Sequence, residues 1–303
     1  MSKLPLDYIE RVLSGVLTTT RSPHEAAWHA VWHERELGAL DPVAAAVTGG
    51  ALADRLSWVF ISGYQAAIRQ VFPTTPHEGW AAFAATEAKD DPEYPGTRLT
   101  IRQNNSGLLL NGYKSWVAQS RKVSHLLVTA RPTDPTSNSP TECVYVDAAA
   151  EGVGLSSRSS PSFLADMSQG FAEFADVAVS PENLLPANSA RSFGRTEARF
   201  VMLAGCAHLL AHTRAASSSP ETESLITDIV TLATSLAECT RNEGLPALLM
   251  GQLDRAFLNG VSRFEQLGLC HHIPSWDTDK RLLYMYSGRI RAREAKSQEA
   301  LNN

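Results

Sequence analysis

The residues best equipped for chemistry fall into a few small groups. Histidines pair twice at a spacing of four, His29 with His33 and His208 with His212, and Cys270 runs directly into His271 and His272. Two imidazoles four apart on a helix share a face and can chelate a transition ion. Neither pair is joined by a third ligand or an adjoining acidic motif, so no metal centre is expected. His208 reads instead as a histidine at the edge of a core, and Gly49-Gly50, with no Lys-Ser/Thr after it, reads as a turn and not a phosphate loop. The more telling stretch is "GLLLNGYKSWVAQS", residues 107–120, which places a lone large Trp116 shortly before small Ala118 and polar Gln119. A tryptophan on a strand is usually core; here it is a candidate for facing a flat ligand. Asn111-Gly112, between an apolar run and Lys-Ser-Trp-Val, is the sequence signal for a tight β-hairpin turn.

The elements that must carry these groups change texture twice. Up to about Phe72 the spacing of apolar residues is helical. In "SPHEAAWHAVWHERELGAL" Ser22 is the expected N-cap with Pro23 in the first turn, and Gly49-Gly50 is expected to separate this region from a second helical run. From Trp80 to Leu185 short alternating segments read as strands: "WAAFAAT", "RLTIRQ", the 107–120 stretch, "HLLVTAR", "ECVYVD" and "FAEFADVAVS". "TDPTSNSPT" is a polar loop within them. From Ser192 onward three long helical patterns follow, closing on a charged helix end. The expected class is α+β: an N-terminal helical domain over 1–78, a central antiparallel β-domain over 79–190, and a C-terminal helical bundle over 191–303.

Composition narrows the function classes. The 303 residues are 44% hydrophobic and 19% charged with a formal net charge of -5, ordinary values for a chain that buries a core. No basic patch with interleaved aromatics supports a nucleic-acid surface, and no apolar run is long enough for a membrane span. Cys143, Cys206, Cys239 and Cys270 are scattered and fit neither a zinc ribbon nor a disulfide scaffold. A cytoplasmic location is expected.

Within the β region, "AFAATE", "LNGYKSWVAQS", "HLLVTAR" and "FAEFADVAVSPENLL" resemble, in order and spacing, four motifs of the acyl-CoA dehydrogenases. "RFVMLAGCAHL" resembles the helix opening that family's C-terminal domain. The resemblance implies helices, a β-domain and a four-helix domain, assembled as a homodimer or homotetramer. It also implies FAD as cofactor and a thioester of coenzyme A or of an acyl carrier protein as substrate. In the family a glutamate removes the α-proton while the β-hydrogen leaves to the flavin as hydride.

Carried over residue by residue, the resemblance puts Trp116 against the flavin ring, Val117 in backbone contact with it, and Thr86 at a strand end where it can bind the cofactor. Ala118 stands where the family has a flavin-bonding threonine. The family's Gly-Ser-Asp loop is replaced by "AKDDPEYPGT", whose Asp90, Asp91 and Glu93 read as a solvated acidic loop. For the catalytic base, "MYSGR" puts Ser287 at the usual glutamate position. The other family position falls on Ala198, with Glu197 one residue earlier and about 100° around the helix. The arginine and glycine-rich segments that hold the FAD pyrophosphate have no clear counterpart, and the C-terminal domain is about a helix short. The sequence therefore reads as a diverged, shortened member that acts on or binds an acyl thioester, with the usual base and several FAD motifs lost. Two alternatives stay open: an active FAD-dependent dehydrogenase using a displaced base such as Glu197, and a noncatalytic binding or assembly partner on the same fold.

Overall fold

The computed structural model describes residues 5–88, 93, 96–101, 107–132, 141–186, 188–240 and 246–302. Asp90, Asp91 and the stretch 133–140 lie outside them. The described chain forms two compact units, residues 68–195 and a unit joining 1–67 to 196–303.

The first unit is built on a seven-stranded sheet: β1 (Trp80–Ala84), β2 (Arg98–Ile101), β3 (Leu108–Ala118), β4 (Val123–Pro132), β5 (Glu142–Asp147), β6 (Val153–Ser157) and β7 (Gln169–Val179). The strand order is β1-β4-β2-β3-β7-β6, with β5 also paired to β4. Antiparallel pairing holds as expected for β2–β3, β3–β7, β4–β5 and β6–β7, whereas β1 and β2 both run parallel to β4. One face closes on Leu110, Val117, Leu126, Val128, Phe174 and Val177, all almost fully buried. At one side Phe83 packs against Phe193, ring centroids 4.4 Å apart.

The Asn111-Gly112 hairpin does not form. β3 runs straight through both residues, and its register against β7 slips between Leu110 and Gly112. The pair makes a β-bulge. Gly112 adopts φ +122°, where an added Cβ would lie 2.7 Å from the carbonyl oxygen of Gly96. The Asn111 side chain exchanges hydrogen bonds with Asp176 across the bulge, at 3.0 and 2.8 Å. An Asn-Gly pair supplies the same unusual backbone to a bulge as to a turn. The chain turns instead after Ala118, where Gln119 takes φ +57° and bonds its N–H to the Ser168 carbonyl at 2.7 Å. Strand β6 carries no strong alternation in the sequence and was not expected.

The second unit is helical. Its elements begin with α1 (Pro5–Leu13), α2 (Glu25–Glu34), α3 (Pro42–Leu52) and α4 (Leu56–Val71, whose last turn belongs to the first unit). They continue with α5 (Ser189–Ala215, entering the unit at Thr196), α6 (Pro220–Thr240), α7 (Ala247–Gln266), the short α8 (Trp276–Asp279) and α9 (Ser287–Asn302). Helix α2 starts two residues later than the sequence suggests, because His24 is its N-cap and accepts the Ala27 N–H. Ser22 is buried and tied to Asp54 through its own N–H. Gly49 and Gly50 lie inside α3, not in a turn. They allow close helix crossings: a Cβ on Gly49 would sit 2.5 Å from the Ser62 hydroxyl, and one on Gly50 would sit 2.2 Å from the Ala204 carbonyl oxygen. Among the described residues no helix is long and apolar enough to cross a membrane. The four cysteines are buried and unbonded.

Candidate functional site

In the β unit the geometry centres on β3. Trp116 is half-buried, and its indole N–H donates to the Gln169 side-chain oxygen at 3.2 Å. The Gln169 amide donates in turn to the Phe163 carbonyl, so the indole is held from behind with part of its surface open. The neighbouring side chains of Val117 and Ala118 are fully buried and oppose Gly170 and Gln169 of β7. Ala118 thus offers no hydroxyl, as its identity dictates, and no exposed surface of its own.

Thr86 is exposed just past the end of β1. Its carbonyl accepts the N–H of Ser115 at 2.9 Å, which brings it beside Trp116. Next to it a charged pair is sunk into the unit. Lys114, with no exposed surface, donates to Glu87 Oε1 at 2.7 Å and to Thr129 Oγ1 at 3.0 Å. The same carboxyl oxygen accepts the Thr97 N–H at 3.1 Å. Burial lowers the Lys114 pKa, and Glu87 restores only part of the loss. Burial pushes the Glu87 carboxyl up, but the hydrogen bond and charge of Lys114, with the Thr97 donors, carry it below its ordinary value. Glu93 is exposed.

In the helical unit the two residues considered for the base are brought close through a third. Glu197 is half-buried on α5. Burial raises its pKa to about 7, against the opposing pull of the Tyr286 hydroxyl and the Arg289 charge. Tyr286 immediately precedes Ser287. Its phenol is buried and has its pKa raised well above ordinary, first by burial and then by the charge and hydrogen bonding of Glu197. Each of the two groups therefore shifts the titration of the other. Ser287 itself is buried at the start of α9 and donates to Asp254 Oδ1 of α7 at 2.6 Å. Arg291 approaches the other oxygen of Asp254 at 3.8 Å. Ser287 is thus committed to helix packing, and of the two it is Glu197 that burial brings to about 7.

The histidines divide differently from their spacing. His29 and His33 place their Nε2 atoms 3.1 Å apart on the surface of α2. His208 is fully buried, with Nδ1 2.9 Å from the Ala53 carbonyl, and His212 stacks on it edge-on. His272 reaches His212 Nδ1 at 2.9 Å, a contact across sixty residues that the sequence concealed. Among the described residues no group of three or more ligating side chains is arranged to hold a metal. Gln169, Tyr286 and Lys114 were also missed as site residues. Lys114 alone carried a signal, a lysine in an otherwise half-buried strand.

Thr86, Trp116, Val117 and Ala118 are thus gathered in one part of the β unit, while Glu197 and Ser287 share one part of the helical unit. Within the first group Trp116 and Thr86 fit a flat ring with polar edges, an anchored, partly open indole beside an exposed threonine, whereas Val117 and Ala118, expected to touch the cofactor, have no exposed surface with which to do so.

No family model matches the chain, and no curated protein matches it in sequence. Solved structures do match its fold. The crystal structure of a prolyl acyl carrier protein oxidase is 13% identical, with a TM-score of 0.65 over 98% of this chain and 99% of that one. Butyryl-CoA dehydrogenase from Megasphaera elsdenii is 12% identical, with a TM-score of 0.62 over 100% and 99%. A glutaryl-coenzyme A dehydrogenase in complex with glutaryl-CoA is 14% identical, with a TM-score of 0.61 over 98% and 91%. The chain has the acyl-CoA dehydrogenase-like fold of these structures.

Proposed function

On this acyl-CoA dehydrogenase-like fold, we propose that the protein oxidises an acyl thioester with FAD as cofactor, and that Glu197 is the base. The observation that carries the reading is the carboxyl of Glu197, half-buried and held at a pKa of about 7 beside a buried tyrosine. A general base works best when its pKa lies near the working pH. FAD, when bound, supplies the hydride acceptor. Thr86 and Trp116 are the residues that would hold its ring, with the fully buried Val117 and Ala118 packed beneath them. Glu197 accepts the α-proton at a carboxyl oxygen. Tyr286, kept protonated by burial, has one hydrogen to offer and faces the carboxylate formed between turnovers. The substrate is a thioester of coenzyme A or of a carrier protein, two classes that the names of the matching structures include. The protein works as a homodimer or homotetramer in the cytoplasm.

A second reading is favoured by Ser287. At the family's usual base position stands a hydroxyl already engaged with Asp254, and Ala118 lacks the flavin-bonding hydroxyl. A protein that binds the thioester without oxidising it fits these two substitutions.

The visible absorption spectrum of the purified protein, before and after excess FAD and gel filtration, separates the readings. Flavin bands near one equivalent per chain, with turnover abolished in Glu197→Gln, support the oxidase or dehydrogenase. A protein that stays colourless removes that reading and leaves thioester binding alone.

A further inference from the structure

We propose that Glu87 and Lys114 form a positioning pair that holds Thr86 against β3 beside Trp116, presetting the edge on which the flavin ring rests. The proposal rests on the FAD reading above.

Strand β1 ends at Ala84, so Thr86 and Glu87 are no longer held by the β1–β4 ladder. Two contacts keep this segment on β3. One is the backbone bond from the Ser115 N–H to the Thr86 carbonyl at 2.9 Å. The other is the 2.7 Å bond from Lys114 to Glu87, between residues adjacent in sequence to the first two. The carboxyl is located on its far side as well, by the Thr97 N–H and by Gly96, where a Cβ would lie 2.3 Å from Glu87 Oε2. Lys114 gains a second fixed partner in Thr129. A lysine with no exposed surface is a poor choice for cohesion alone, because apolar groups of similar volume serve a core as well or better. What a doubly anchored ion pair adds is direction. It sets the chain leaving β1 at one place on β3, two residues from Trp116, while Gln169 fixes the indole from the β7 side.

The test uses the full chain with three changes: Glu87→Gln, Lys114→Met, and the double Glu87→Met/Lys114→Met. Two quantities are read: exchange of the Ser115 amide proton relative to Val128 in the β4–β5 ladder, and the FAD dissociation constant from flavin fluorescence. With the pair acting as a positioner, Glu87→Gln speeds Ser115 exchange and weakens FAD binding, each by about tenfold or more, since hydrogen bonds to charged groups are the strong ones. The double variant recovers the melting temperature lost by Lys114→Met but neither Ser115 protection nor FAD affinity. A double variant that recovers all three shows the pair to be cohesive only and overturns the proposal. If the single variants do not fold, the double variant decides alone. If the wild-type chain retains no FAD, the functional reading fails, and Ser115 exchange still decides whether the pair positions Thr86.

Discussion

Glu197 links stability to chemistry at the level of one residue. Burial holds its carboxyl at about 7 in the folded chain, above the ordinary glutamate value of about 4.3 that the unfolded chain keeps. Between those two values the native state keeps a proton that the unfolded state has released, so stability falls as pH rises across the window. Removing the charge relieves this. Glu197→Gln is expected to unfold at higher urea than wild type at pH 8.5, by about 2 kcal/mol after discounting for partial exposure, and to match it at pH 4.5. The same change is expected to lower turnover by roughly 10²- to 10⁴-fold. An unchanged turnover removes Glu197 as the base. The buried histidines have the opposite sign. Burial lowers His212 to about 4 and holds His208 well below its ordinary value, so the unfolded chain binds more protons below pH 6.5. Stability contributed there is complete above that pH and lost as pH falls towards 4. His212→Gln is expected to flatten this acid limb by on the order of 2 kcal/mol, read as the difference in urea midpoint between pH 7 and pH 5. Of these groups Glu197 was legible in the sequence through its nearness to a family position. The pairing of His212 with His272 depends on tertiary folding and left no trace in spacing.

At the scale of elements, glycine is where sequence reading went furthest astray and where the physical reason is clearest. Asn111-Gly112 and Gly49-Gly50 both read as chain reversals, and both lie inside regular elements. The local preference was read correctly, since Gly112 does take positive φ. What local sequence does not contain is the neighbour that makes glycine necessary, the Gly96 carbonyl in one case and the Ala204 carbonyl in the other. The consequence is testable by contrast. Gly50→Ala forces a methyl onto backbone 2.2 Å away and is expected to cost about 1–3 kcal/mol or more. Gly194, inside α5 with nothing within 4 Å of an added Cβ, is expected to gain roughly 0.5–1 kcal/mol on change to Ala. Thermal unfolding of the two variants gives opposite shifts if the helix crossing at Gly50 is as close as described, and similar shifts if it is not. The strands themselves were largely legible, because alternation and β-branched content survive in β4, β5 and β7 and two aromatic residues mark the short apolar β1. Short β6, "VGLSS", lacks them.

For the whole molecule, the order of helices, strands and helices was readable because periodicity changes abruptly near Trp80 and Ser192. That the first and last helical regions belong to one compact unit was not, since contacts between distant segments have no local signature. The fold is shared with acyl dehydrogenases at 12–14% identity, and a fold hosts many functions. Whether this one still binds flavin is therefore a thermodynamic question about the folded chain. A ligand bound only by the native state stabilises it by about 2.7 kcal/mol at a hundredfold excess over its dissociation constant. For a domain of this size each kcal/mol moves the melting temperature by about 2–4 °C, so FAD is expected to raise it by roughly 5–10 °C. Trp116→Leu removes the open indole surface while leaving an apolar side chain in β3, and is expected to reduce that rise by half or more without lowering the melting temperature of the unliganded protein to the same extent. An equal rise in the variant places the flavin away from β3. No rise in either protein at high FAD leaves a thioester-binding protein, and the same titration repeated with an acyl-CoA then measures the ligand that remains.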